Sequence, residues 1–388
     1  MFAEEEWQVG GQSSFDPVEE AFALTAALVR ERSYPGEEGA VQQVVANWFR
    51  SNGFEPVLQF AAPDRPNVLV SMENGPGPTF LLNGHVDTVL ADSHWAHDPW
   101  LGQREGDRFY GLGACDMKSG VAAAMLATRA LARDVGSWGG TLIFTSVVDE
   151  EAYSIGANTL IDDGLTADYC VVTESCWDWP CLGSFGKYLV RVDVAGHAAH
   201  ASWPERGVNA AVEAARFIAR LDQIALPTHP KIRSSQCVLS SLSGSPQYVI
   251  TVPDEATVLI NRHTIPGESE ASVLADYQRL IDTLDSPATF TLSIDPPRYP
   301  SWETSPDHPL IQKFAARYEA VSGHAPKYGY TGYGDPNLFS SRAGIPTLMF
   351  GPLGGNFHEA GEWVDLPSIA ATSQILVELV RDMLPPAR

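Results

Sequence analysis

Short apolar runs recur along this chain. Each is followed by a helical pattern, and a histidine or carboxylate stands just past several of them. NVLVSM, TFLLNG, TLIFTSVV and DYCVVT have the length and β-branched content of strands. Between them, residues 118–133 are rich in Ala, Leu and Met and read as a buried helix, and 154–163 carry a helical period. Helical patterns also start near Asp16, with Phe22, Leu24, Ala27, Leu28 and Val29 as apolar positions, and run through 39–51. Alternation of this kind predicts an α/β fold: a mainly parallel sheet with helices on both faces. The first ten or so residues are polar and predict no regular element.

The middle of the chain changes period. Tyr188, Val190, Val192 and Val194 alternate with Leu189, Arg191 and Asp193, as in a half-buried strand. A helical pattern at 208–221 follows, then strands in CVLSSL and ATVLINRHTI, a helix at 268–284 and a strand in ATFTLSI. The order is βαββαβ, which is ferredoxin-like. The proline-rich IDPPRYPSWETSPDHP reads as a boundary. Beyond it the α/β pattern resumes with a helix at 308–321, a strand in TLMF and a helix at 366–384. The predicted organisation is therefore a larger domain from 1–183 and 297–388, interrupted by a smaller one at 184–296.

With 25 Lys+Arg against 48 Asp+Glu, the formal charge is −23. That balance argues against nucleic acid or an anionic membrane as a partner. No run approaches the roughly 20 apolar residues of a membrane span. The opening MFAEEEWQVGG is acidic, so no secretory signal is expected. Five scattered cysteines (Cys115, Cys170, Cys176, Cys181 and Cys237) show no CxxC spacing. They predict reduced thiols and a cytoplasmic setting.

The residues after the strands carry the chemistry. TFLLNG is followed by His85 and Asp87, TLIFTSVV by Asp149, Glu150 and Glu151, and DYCVVT by Glu174. His358 and Glu359 come a short glycine loop after TLMF, and Asp116 lies in GLGACDMKSG at a helix start. Ligands of open α/β sheets bind beyond the carboxyl ends of the strands, so these groups are expected to meet at one edge. Imidazoles and carboxylates together suit zinc or a similar divalent ion. A carboxylate bridging two ions is the arrangement of co-catalytic hydrolases. In His85-x-Asp87 the aspartate could fix the imidazole's tautomer.

Other signals are bland. GLGACD lacks the third glycine of a dinucleotide loop, and Cys115 reads as a small buried thiol. His94, His97, His229, His308 and His324 stand in polar or proline-rich surroundings and read as surface groups. Trp177 and Trp179 near Pro180 read as packing at the domain junction, with a substrate wall as the alternative.

The ordered set NGHVDTV, GLGACDMKSG, Glu150-Glu151, VVTES, GHAAHASWPERGVNAA, INRHTIPGE and FHEAGEW resembles the metallopeptidase and deacylase family of acetylornithine deacetylase, succinyl-diaminopimelate desuccinylase, aminoacylase and glutamate carboxypeptidase. The resemblance covers nearly the whole chain. It implies that Asp116 bridges two divalent metals, most readily zinc, with cobalt or manganese as alternatives. His85 and Glu174 would complete one site, and Glu151 and His358 the other. Asp87 would orient His85, and Glu150 would be the general base. His200 would reach a partner subunit's site in a homodimer formed through the smaller domain, and Arg262 would bind a substrate carboxylate. A cis peptide between Asp116 and Met117 is also implied.

The implied activity is deacylation of an N-acyl amino acid or similar small amide. A carboxypeptidase or dipeptidase with the same machinery is the near alternative, and a non-catalytic binding protein the distant one. Two departures bear on substrate recognition. Ile250-Thr251-Val252 stands where the family often has Asn-Val-Ile, and Tyr333-Gly334-Asp335 where it has Gly-Thr-Asp.

Overall fold

A computed structural model describes residues 16–245 and 250–386. The opening residues, expected to lack regular structure, lie outside the described residues except for Asp16. The Asp16 carboxylate accepts the Val18 N–H and caps the helix Pro17–Arg30.

The larger sheet has six strands in the order Val57–Ala62, Arg65–Asn74, Gly140–Val147, Thr79–His85, Tyr169–Val172, Thr347–Met349. The last four are mutually parallel, and the first two form an antiparallel edge. The strand Thr79–His85 lies in the middle and is buried on both faces. Phe80 and Leu82 enter a core shared with the helices Pro17–Arg30, Gly39–Ser51, Ser119–Arg133, Pro309–Ser322 and Leu366–Met383. Leu81, pointing the other way, joins Ala157 and Leu160 of the helix Ile155–Asp162. Helices thus cover both faces of a mainly parallel sheet, as the alternation predicts.

The smaller sheet is antiparallel in the order Gln236–Gly244, Glu255–Thr264, Gly186–Ala195, Thr289–Tyr299. With the helices Ala210–Ile218 and Glu270–Asp282 it is the ferredoxin-like βαββαβ arrangement. Tyr188, Val190, Val192 and Val194 enter its core while Leu189, Arg191 and Asp193 stay partly exposed.

Two details differ from expectation. The proline-rich segment does not end the last strand of this sheet, which continues to Tyr299. The pairing register shifts between Asp295 and Arg298, and the peptide between Pro296 and Pro297 is cis. Prolines cannot donate to a ladder, and an edge strand with a bulge tolerates them. A further small sheet, Gln103–Glu105, Arg108–Tyr110, Trp363–Asp365 and Gly354–Gly355, was not foreseen. Its strands of two or three residues are too short to show a period.

The helix Ser119–Arg133 starts where the site is built. Gly120 lies against the carbonyl of Thr173, and a Cβ there would overlap that oxygen. Backbone blocks backbone, so neither side can yield cheaply. Gly120→Ala is therefore expected to destabilise the fold by about 1–3 kcal/mol, as overpacking does, read by denaturant unfolding. Unchanged stability would mean that the helix is free to shift.

Candidate metal centre

The parallel strands deliver their ends to one edge. His85 closes the central strand and pairs in register with Val147, the last residue of its neighbour. The turn after Val147 carries Asp149, Glu150 and Glu151. Asp149 adopts a left-handed φ of 70°, and its carbonyl accepts the Ser154 N–H at 2.6 Å. The Arg65 guanidinium bridges Glu38 and Asp149 beneath this turn. Glu174 lies two residues past the strand Tyr169–Val172. Asp116 sits in a kinked turn before the helix Ser119–Arg133, and the Asp116–Met117 peptide is cis.

Asp116 holds the centre together. Its Oδ1 is 3.2 Å from His85 Nε2 and its Oδ2 is 3.1 Å from His358 Nε2. Glu174 Oε1 lies 3.4 Å from His85 Nε2, and Glu151 Oε1 lies 3.1 Å from His358 Nε2. The residues form two triads that share Asp116: His85, Asp116, Glu174 and Asp116, Glu151, His358. Glu150 Oε2 is 3.8 Å from His85 Nε2 and belongs to neither triad.

Asp87 contributes differently from the sequence reading. His85 Nδ1 is 3.0 Å from the Asp87 backbone carbonyl, against 3.6 Å from its carboxylate Oδ1. The carboxylate instead accepts the backbone N–H groups of Glu150, at 3.1 Å, and Glu151, at 2.9 Å. It thus ties the strand end at His85 to the turn that carries both glutamates.

Three further residues shape the centre, of which the sequence analysis named Gly334 and Asp335 only as part of a departure bearing on substrate recognition and gave Glu362 no role of its own. The buried Glu362 carboxylate accepts N–H groups of Gly113, Cys115 and Asp116 at 2.7–2.9 Å, fixing the backbone on both sides of the kink. Asp335 is buried close to Ser154, and burial pushes its carboxyl up to about 7. Gly334 abuts Glu150, and a Cβ there would overlap Glu150 Oε1. FHEAGEW contains Glu362, but a carboxylate that caps backbone N–H groups from about 250 residues away leaves no local pattern.

His200 and Arg262 are not brought to the cluster. His200 is exposed, packs on Trp203 and accepts the Ser202 N–H through Nδ1. Arg262 is fully buried, ion-paired with Glu268 at 2.5 Å and near Asp276 at 3.7 Å, and donates to the His263 carbonyl. Its Nε is buried without a hydrogen-bond partner. Trp177 packs on Tyr318 and Phe350, whereas Trp179 is half exposed and lines a cavity of about 690 Å³ over the cluster. The five cysteines are free thiols.

The electrostatics fit cations. Four carboxylates (Asp116, Glu150, Glu151 and Glu174) face two imidazoles in a largely buried space. Burial works to lower the His85 pKa, but Glu174, Asp116 and Asp87 outweigh it and hold it well above the usual imidazole range. Asp116 and then Glu151 push His358 up to about 11. Burial, then the Asp116 charge, pushes Glu174 up to about 7. By themselves these side chains take up protons to offset surplus negative charge, and Glu151 Oε1, though beside His358, has no hydrogen bond of acceptable geometry. Nitrogen and oxygen donors of this kind suit divalent ions.

Residues 81–382 match the family described as peptidase family M20/M25/M40, and the chain belongs to it. It is similar to a succinyl-diaminopimelate desuccinylase of Methylobacterium sp. (strain 4-46), 27% identical over 390 residues covering 94% of this chain and 97% of that one. Its fold is similar to that of aminopeptidase PepT from Bacillus cereus ATCC 10987, with a TM-score of 0.75, 20% identity and coverage of 94% and 98%. It also matches a dinuclear metal-binding peptidase from Bacillus subtilis, with a TM-score of 0.73, 14% identity and coverage of 96% and 99%. The chain is a metal-dependent hydrolase acting on small amides or peptides. Among the described residues no helix is long and apolar enough to cross a membrane.

Because the imidazoles hold protons that a cation must displace, binding should release protons. The sign follows from raised pKa values: Asp116 and Glu151 hold the His358 imidazole protonated at neutral pH, so a cation that takes its place displaces a proton. Calorimetric titration with Zn²⁺ at pH 7 is expected to give heats that vary with the ionisation enthalpy of the buffer, and affinity that falls with pH. Equal heats in phosphate and Tris would remove the imidazoles from the ligand set.

Proposed function

We propose that this chain is a deacylase that hydrolyses N-acyl amino acids or similar carboxylate-bearing small amides in the cytoplasm. The observation that carries the reading is Asp116 shared between two triads with Glu150 beside them but outside both. The similarity to a desuccinylase over nearly the whole chain supports the acyl side of it. Hydrolysis of small peptides is the second reading, favoured by the family's peptidases and the peptidase folds it matches.

In this reading Asp116 would be the carboxylate common to two sites for divalent ions, zinc first and cobalt or manganese as alternatives. His85 and Glu174 complete one site, and Glu151 and His358 the other. The ions, when bound, supply Lewis-acid polarisation of the amide carbonyl and an acidified water. Glu150 would accept a proton from the attacking water and hand it to the leaving nitrogen. Burial, with Asp335, Glu174 and Glu151 nearby, raises its carboxyl well above the usual range. Asp87 keeps His85 and the two glutamates in one frame. His200 would donate to the developing oxyanion from a partner copy, as the resemblance suggests.

The homodimer that His200 requires has a surface suited to it. The edge strand Gln236–Gly244 is exposed along most of its length, with Val238, Leu239 and Leu242 each over two-fifths exposed. Unpaired edges with apolar side chains invite pairing with a second chain. Light scattering at micromolar concentration is expected to give twice the chain mass, and a monomer would deny His200 its role.

The activity itself is tested with N-acetyl, N-succinyl and long-chain N-acyl amino acids beside dipeptides, with added Zn²⁺, Co²⁺ or Mn²⁺. Turnover of dipeptides alone would favour the second reading. Glu150→Gln is expected to lower kcat at least about 100-fold with two metals per chain retained. Glu151→Gln is expected to lose metal from one site, with activity partly regained at high added metal. Metal loss from Glu150→Gln with normal activity per bound ion would exchange the two roles.

A further inference from the structure

The cavity over the cluster is acidic on one side, where Asp116, Glu150, Glu151 and Glu174 line it. One ammonium stands in its wall. Lys187, near the start of the strand Gly186–Ala195, is the one Lys or Arg among the lining residues. Its Nζ donates to the Tyr333 hydroxyl at 3.1 Å and lies 4.7 Å from that ring's centroid. Among the described residues no carboxylate pairs with it, in contrast to Arg262 with its two acidic neighbours.

Tyr333 is held in place and close to the chemistry. Its ring packs on Tyr299, with centroids 5.3 Å apart, and edge-on against Phe185 at 5.8 Å. The next residue, Gly334, abuts Glu150 Oε1. Consecutive Cα atoms are about 3.8 Å apart, so the Tyr333 backbone lies one residue from the contact with Glu150, and its side chain lines the same cavity. Trp179, Trp302 and Phe357 give the same cavity apolar walls.

The Lys187 ammonium lines the cavity with no carboxylate partner among the described residues and a neutral hydroxyl beside it, so it is free to meet an anionic group that enters the cavity. We propose that Lys187, with the Tyr333 hydroxyl as second donor, is the subsite that takes the substrate's free carboxylate, while the aromatic walls take an apolar group. This deepens the deacylase reading and rests on it. Lys187 donates a charge-assisted hydrogen bond, Tyr333 a neutral one, and Gly334 leaves Glu150 room to reach the scissile amide. The carboxylate could belong to the amine half of the substrate or to the acyl half. Both present the same chemistry to Lys187.

The test separates binding from turnover. Wild-type turnover of the amide panel decides the deacylase reading by itself. The subsite is read in the metal-loaded Glu150→Gln protein by calorimetric binding of three ligands. These are an N-acetyl amino acid with an aromatic side chain, the N-succinyl derivative of its amide, and the uncharged N-acetyl amide. One of the two acids is expected to bind at least about tenfold more tightly than the uncharged amide, and which one tells the half that carries the carboxylate. Adding Lys187→Met should erase most of that preference, Lys187→Arg should keep it, and Tyr333→Phe should reduce it less than Lys187→Met. Matched unfolding midpoints and metal content show that the variants are folded. A preference that survives Lys187→Met, or the lack of any preference in the parent protein, overturns the proposal.

Discussion

The Asp116 carboxylate between two imidazoles is the contact on which the rest of this structure converges. One side chain faces His85 with one oxygen and His358 with the other, and these come from residues more than 240 positions apart. Around it the chain gathers three more carboxylates, each mostly buried, beneath an open cavity. Like charges at that range repel strongly unless water or counter-charge intervenes. The raised His85 and His358 imidazoles and the raised Glu174 carboxyl all express one unmet demand for positive charge. Two divalent ions meet that demand with donors already in place, and protons are what the side chains take up otherwise.

Holding such a cluster requires a frame that does not relax, and the backbone around it is tied at each point. Asp87 binds the Glu150–Glu151 backbone, Glu362 binds three N–H groups around the kink at Asp116, and Arg65 braces the turn at Asp149. These are charged groups satisfying buried backbone donors or one another. Such groups are strong when complete and costly when broken. Removing one would cost more than a hydrogen bond, because the donors left behind have no water to turn to.

The strand ends were legible because the sheet is buried on both faces and its strands are continuous apolar runs that stop abruptly at His85, Asp149 and Glu174. A histidine or acid just past such a run can hardly be core, and the fold brings parallel strand ends together. The helix after Asp116 and the alternating strand at Tyr188–Val194 were legible for the same reason: a period imposed by burial. What was hidden lacks a period. Glu362 and Lys187 meet partners far away in sequence, and the two- and three-residue strands of the small sheet near Trp363 are shorter than one repeat. The prolines at 296 and 297 read as a boundary because a ladder normally rejects them, and only an edge position makes room for them.

The placement of the two kinds of residue separates chemistry from recognition. His85, Asp116, Glu151 and Glu174 sit at strand ends or a helix start, in backbone locked by the sheet and by buried carboxylates. Trp179, Phe185, Lys187, Tyr333 and Phe357 sit on the cavity's other walls, mainly on loops and at a strand start, where a change of side chain disturbs little packing. Tyr333-Gly334 departs from the family's Gly-Thr at a position that abuts Glu150, the proposed base, and belongs to neither triad. A substitution there alters what fits against Glu150 while leaving the Asp116 triads untouched. In the proposed reading the same frame serves different amides by exchanging its loop residues, with the aromatic and basic wall rather than the metal centre selecting the substrate.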